Sequence, residues 1–379
     1  MGYSPDPTTN SNSRVFLTAL LVIGFAHAAF VLAPGQKAFA ASDVLSSKNE
    51  IAIDMARARA YLKGNGVQQD FKQAAYWYER AAGFGDPVAQ NQIGYFYQTG
   101  MGVSRDLGRA VHWYQLAASA GNSFAKLNLA VAYLWGVGVQ NNPELARVLL
   151  EEAAKAGNSK AKAYLGDMYY QGIGVQQDQS AGVMWYEKAA KEHDYLADYR
   201  LGAILSKTAK STEDLNRAYS LLYESAASGF VPAMYGVGLL VANHSELDSY
   251  HDEALKDLLR SESFGMWKSS IVLGALARDG KWVPRDLGSA YLHFRMGVLQ
   301  GGTVAAGIVR GDLSILSKQF TKDEIKKYDE QAQAWFEQHR TAIEYVQKIH
   351  GAGQREIEIG LAAPGENEHA GELIPILSN

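Results

Sequence analysis

Apolar and small residues recur three and four positions apart along most of the chain, as at Ile93, Gly94 and Tyr97, and that spacing predicts helices. The helices come in pairs. Written in rows of 36 from Met55, the sequence keeps like residues in register without a gap through Ala306, which makes seven rows. Gly64-x-Gly66-Val67 returns as Gly100-x-Gly102-Val103, Gly136-x-Gly138-Val139 and Gly172-x-Gly174-Val175, and Gly280 and Val283 keep half of it. Glycine accepts the left-handed backbone that ends a helix, so this segment is a connector. The acidic residue after it, Asp70, Asp106, Asp178, Asp214 or Asp286, stands where it can cap the next helix.

The second helix of a row carries Ala74, Trp77, Tyr78, Ala81 and Ala82 on one side, repeated at Ala110, Trp113, Tyr114, Ala117 and Ala118. Small residues let helices approach, and aromatic rings fill the space beside them. This helix stops at Gly85, Gly121, Gly157 or Gly229, and the next begins at Asp86-Pro87, Asn122-Ser123 or Asn158-Ser159. Each row is a hairpin that buries its face only against its neighbours. Rows five and six depart from the pattern: Thr208 and Lys210, then His244 and Glu246, replace the glycine pair, and Ser261-Glu262 replaces the double alanine. They read as divergent repeats at a looser or re-angled joint between two stacks.

Residues 41–54 are expected to form a capping half-helix and residues 307–349 closing capping helices, the latter with a capping box at Thr321-x-x-Glu324 and Ile325, Tyr328, Ala332 and Trp335/Phe336 at helical spacing. Residues 350–379 are rich in Gly, Glu and Pro and are expected to be disordered; Leu373-Ile374-Pro375-Ile376-Leu377 is either a short docking peptide or a frayed end. At the other terminus, Arg14, the apolar run Val15–Ala33, Pro34-Gly35 and Ala38-Phe39-Ala40 have the order of a secretory signal cut after Ala40. An uncleaved anchor is the alternative, disfavoured by His27 inside the run.

At 379 residues the chain exceeds the roughly 250–300 that one compact core sustains, in keeping with a stacked array. A net charge of −4 with 47% apolar and 20% charged residues argues against both a disordered chain and a nucleic-acid partner. With no cysteine there is no disulfide, thiolate metal site, cysteine nucleophile or lipid-bearing cysteine.

The glycine pairs follow no strand and precede no Lys-Ser/Thr, so they do not cradle phosphate, and neither a Gly-x-Ser-x-Gly elbow nor a His-Glu-x-x-His helix is present. No enzyme activity, cofactor or metal is expected. His244, Glu246, Asp248, His251, Asp252 and Glu253 are the densest polar cluster; such side chains can hold zinc, but their uneven spacing in a connector favours a solvated loop. His112, His193, His293, His339, His350 and His369 share no inferable geometry. The Trp/Tyr columns repeat with the fold, which favours a core role over a carbohydrate platform.

The stretch GMGVSRDLGRAVHWYQLAASAGNSFA resembles a Sel-one-like repeat, a branch of the tetratricopeptide-type helical solenoids; rows one to four match closely and row seven partly. The resemblance implies an all-α, right-handed α-solenoid of about seven 36-residue helix-turn-helix repeats, with the first helix of each hairpin lining a concave binding surface. On the face turned away from the Gly/Tyr packing columns, that surface would present Asn91, Tyr95, Gln98, Phe124, Trp135, Asp167, Tyr170 and Tyr199 to a partner, or pack several of them between adjacent first helices.

Exported bacterial members of the family resemble scaffolds of exopolysaccharide synthesis and secretion, periplasmic regulators that bind a sensor protein, and surface factors that bind host proteins. The expectation is a non-enzymatic periplasmic scaffold or assembly factor that holds protein partners in the cell envelope, among them polysaccharide-export machinery. A regulator of a sensor kinase and a host-binding factor are the alternatives. Membrane contact is expected only through an uncleaved leader. The missing cysteines depart from the family's lipoproteins and from its disulfide-rich members described as penicillin-binding.

Overall fold

The computed structural model describes residues 41–351, and all that follows concerns them. The chain divides at Asn49/Glu50 into two units, of which the first is described only as helical backbone from Ala41. Expectations for the leader and for the tail beyond Gly351 lie outside the described residues.

The fold is an all-α solenoid, and no strand occurs among the described residues. Helix α1 (Ala41–Lys63) runs without a break through the expected half-helix and the first helix of row one. Helix α2 (Phe71–Gly83) completes row one; the hairpins then follow as α3 (Pro87–Thr99) with α4 (Leu107–Ser119), α5 (Ser123–Trp135) with α6 (Pro143–Lys155), and α7 (Ser159–Gln171) with α8 (Gln179–Ala190), and α9 (Tyr195–Thr208) opens row five. Next come α10 (Thr212–Ala227), α11 (Val231–Asn243), α12 (His251–Ser263), α13 (Trp267–Asp279), α14 (Leu287–Leu316) and α15 (Lys322–Gly351). Each helix packs on its sequence neighbours, and first helices also touch across repeats, α7 on α9, α9 on α11 and α11 on α13.

Within a hairpin one contact recurs. The middle of the first helix carries a glycine on which a large side chain of the second helix rests: Tyr114 on Gly94, Tyr186 on Gly166, Leu222 on Gly202, Leu258 on Gly238 and Phe294 on Gly274. A Cβ at Gly94 would lie 2.7 Å from the Tyr114 ring, so an alanine there must displace a buried tyrosine.

Helix starts are fixed by side chains accepting backbone N–H groups: Asp70, Asp86, Asp106, Asn122, Asn142, Asn158, Asp178, Asp194 and Asp286 each do so. Asp214 does not hold the expected place. Without the glycine pair, α10 starts early, at Thr212; Ser211 is the cap, and Asp214 accepts from the Lys210 N–H in a capping box. Thr321 and Glu324 form the expected reciprocal box at the start of α15.

Two residues hold left-handed backbone where other rows have glycine. His193 (φ 56°) takes the place of Gly85, Gly121 and Gly157, and Trp282 (φ 64°) that of Gly66, Gly102 and Gly138. In row six the connector is a 3-10 turn from Ser245 to Tyr250 that leads straight into α12. Row six also swaps alanine contacts for polar ones: the Ser261 and Ser269 hydroxyls lie 2.7 Å apart, and Glu262 pairs with His293 Nδ1 at 2.8 Å. Helix α14 is two segments joined at Gly302 (φ 59°, ψ −139°); its second segment and α15 stand one 36-residue period after α13 and the first segment of α14.

Candidate binding surfaces

The eight residues expected on a binding face divide into two groups. Asn91, Tyr95, Gln98 and Asp167 are buried, at 0, 8, 7 and 7% exposure, which corrects the expectation that they present side chains to a partner. Their polar atoms bond within the stack. Asn128 Nδ2 donates to Asn91 Oδ1 (3.0 Å) across neighbouring first helices, and the Tyr114 hydroxyl donates to Gln98 Oε1 (2.6 Å). Asp167 accepts from the Tyr186 hydroxyl (2.6 Å) and pairs with Arg200 Nε (3.0 Å) of the next repeat. Burial next to the Asp167 carboxylate pushes the Tyr186 hydroxyl far above the usual phenol range, so it stays a donor.

Phe124, Trp135, Tyr170 and Tyr199 are half-buried on α5, α7 and α9. Three of the rings are backed: Tyr170 lies 6.2 Å from Tyr186, Tyr199 meets Phe230 edge-on at 5.1 Å, and Trp135 packs on the core around Leu127 and Leu134. A ring fixed on one side and open on the other loses little freedom when a partner covers it.

Sequence reasoning missed a second set. Tyr76 (57% exposed), His112, Val148 and Met184 (57%) occupy equivalent outward positions of α2, α4, α6 and α8. The signal was available, since they fall in one column 36 residues apart, where a soluble helix would carry charge.

Charge at the joint between α9 and its neighbours is unusual. Asp198, in the first turn of α9, is 4% exposed, and its carboxyl is pushed up to about 7 by burial and then by the Asp194 and Glu224 carboxylates. Burial also raises Asp194, against the opposing pull of Lys160. The folded chain therefore holds a proton that the unfolded chain releases near pH 4. The stabilising contribution of this carboxyl is fully present below that pH and is lost as pH rises through about 7. Asp198→Asn is expected to add about 1–2 kcal/mol at pH 7.5 and to flatten the pH dependence between about 4 and 7, as read by urea unfolding. An unchanged pH profile in the variant would remove this carboxyl from the account.

Among the described residues no three His, Asp or Glu side chains converge on a metal position. His251 Nδ1 faces the Asp248 carbonyl at 2.7 Å, and Nε2 lies 3.2 Å from Asp252. The open hollow beside Arg147 and Tyr169 is walled by the Gly174–Ser180 connector, whose one carboxylate, Asp178, already caps α8. No described helix is long and apolar enough to cross a membrane.

Stacked helix hairpins with backed, partly open aromatics define a helical-repeat protein of the kind that binds other proteins. Residues 52–83, 87–122, 123–158, 159–194 and 271–302 each match the Sel1 repeat, and proteins built of that repeat mediate protein–protein interaction. The divergent rows five and six fall in the gap between the fourth match and the fifth. Among solved structures, the chain is similar to c5321, a protective antigen present in uropathogenic Escherichia coli strains that displays an SLR fold. The identity there is 22%, over 81% of this chain and 73% of that one, with a TM-score of 0.48. It is similar to a Sel1 repeat protein from Oxalobacter formigenes at 29% identity, over 57% of this chain and 91% of that one, TM-score 0.48. Immunity protein Pa5087 from Pseudomonas aeruginosa is similar at 19% identity, over 56% and 82%, TM-score 0.38. No curated protein matches the sequence.

Proposed function

We propose that this chain is a non-enzymatic scaffold that holds protein partners in the cell envelope, as an assembly factor for exopolysaccharide synthesis or secretion. The observation that carries the binding role is the set of half-buried rings, Phe124, Trp135, Tyr170 and Tyr199, on three successive first helices. Interfaces draw most of their energy from a few such aromatic anchors in packed surroundings. The envelope location rests on the apolar run Val15–Ala33 and the Ala38-Phe39-Ala40 site after it. Export leaves a mature chain beginning at Ala41, which N-terminal sequencing reads directly; recovery of residues 15–33 in membranes would replace cleavage with anchoring.

Crosslinking and pull-down from the envelope test the binding role. Trp135→Ala with Tyr170→Ala should lower recovery of polymer-export proteins about tenfold or more, the loss of two anchors worth about 1–2 kcal/mol each. Unchanged recovery sinks the assignment of that face. Capture of a sensor kinase in place of export proteins would make the chain a regulator.

A further inference from the structure

The second segment of α14, residues 303–316, buries Ala305, Val309 and Leu316, and its Asp312 pairs with Arg278. The adjoining face, about 100° round the helix, carries Val304, Ile308 and Ile315 at 63, 58 and 63% exposure, more open than the other large apolar side chains described. Spacings of four and seven residues align them as one stripe. Gly307 and Gly311 lie along its edge, and a Cβ at either would meet nothing within 4 Å. Glycines in the middle of the earlier first helices seat a side chain from the second helix, whereas these two seat nothing among the described residues. An exposed glycine in a helix costs about 1 kcal/mol relative to alanine. The result is an apolar stripe flanked by bare backbone, shaped for the close approach of another backbone.

The chain has a segment that fits it. Twenty-one residues separate Gly351 from the run Leu373-Ile374-Pro375-Ile376-Leu377. Proline at the centre keeps that run out of a helix and favours an extended form. Leu373 to Leu377 in extended form would span about 13 Å, most of the about 17 Å rise from Val304 to Ile315. Alternate residues of an extended segment are about 6.6 Å apart, close to the roughly 6 Å between helical positions 304 and 308, so Ile374 and Ile376 match the stripe in pitch.

Charge agrees as well. Glu366, Glu368 and Glu372 precede the apolar run with no Lys or Arg among them, while Arg310 and Lys318 are exposed on and just after the helix. The tether reaches: Ile343 of α15 packs on Gly265, next to Trp267, and Trp267 also covers Gly301, so α15 ends at the same end of the hairpins as Val304. Twenty-one residues of random coil would have a root-mean-square span of about 25 Å.

We propose that Leu373–Leu377 docks in extended form along Val304, Ile308 and Ile315, and so closes the last hairpin of the solenoid with the chain's own tail. The absence of native cysteine makes the test clean. In the full-length chain, Ser378→Cys is paired with Thr303→Cys or with Ser314→Cys, which mark the two ends of the stripe and so cover both directions of docking. A short bis-maleimide should link one of these pairs within a single molecule about tenfold faster than it does in the same chain carrying Ile308→Asp, because docking raises the local concentration. Position 308 is exposed, so that control keeps its fold. Equal rates with and without Ile308→Asp for both pairs would overturn the proposal. So would links that form between molecules and rise with protein concentration, since these would make the occupant a second copy.

Discussion

Gly102→Ala is expected to destabilise the protein by about 3 kcal/mol, whereas Gly66→Ala, at the same place in the preceding row, should cost only about 1 kcal/mol. Both glycines are left-handed, with φ of 69° and 73°, so both substitutions carry the steric cost of an L-residue in that region. They differ in what surrounds them. A Cβ at Gly102 runs into the Phe71 carbonyl at the start of α2, and one at Gly138 or Gly174 runs into Leu107 or Pro143 at the start of α4 or α6; at Gly66 there is nothing within 4 Å. Each connector lies on the first turn of the preceding second helix, and the atom in the way is backbone or ring, which has no rotamer to escape into. Urea unfolding of the two variants reads the difference directly. Equal losses would mean that the connector does not make this contact.

Asp167→Ala is expected to cost about 3 kcal/mol, because it leaves the Tyr186 hydroxyl and the Arg200 guanidinium of the next repeat facing an apolar gap. Asp167→Asn keeps an acceptor for Tyr186 and should lose about half as much. A surface contact residue would behave otherwise: its alanine variant would unfold like the parent and weaken only partner binding. A change within about 0.5 kcal/mol for Asp167→Ala, the range of ordinary surface substitutions, would return this residue to the binding face.

The helices and their ends were legible in the sequence because the signals are local. A glycine at a connector, a carboxylate one residue before a helix and a ring twenty residues after a glycine act on backbone within their own hairpin. Burial of the polar positions was not legible. Asn91, Gln98 and Asp167 look like rim residues by type, and their partners Asn128, Tyr114, Tyr186 and Arg200 come from the other helix of the hairpin or from the next repeat. Only the stack itself reveals that these side chains complete one another. Trp282 shows the same limit from the other direction. Its left-handed backbone occupies a glycine's slot beside His251 and Asp248 of the preceding row, whose connector has become a 3-10 turn.

The identical junctions of this stack have a consequence for how such a chain changes length. Gly121-Asn122-Ser123 and Gly157-Asn158-Ser159 are the same three residues, with the same asparagine closing the first turn of α5 and of α7. Unequal crossing-over between the two coding stretches deletes or duplicates a whole hairpin and leaves the cap and the glycine stop intact at the new joint. Reach is thereby adjusted in modular steps, and no surviving seam has to be rebuilt.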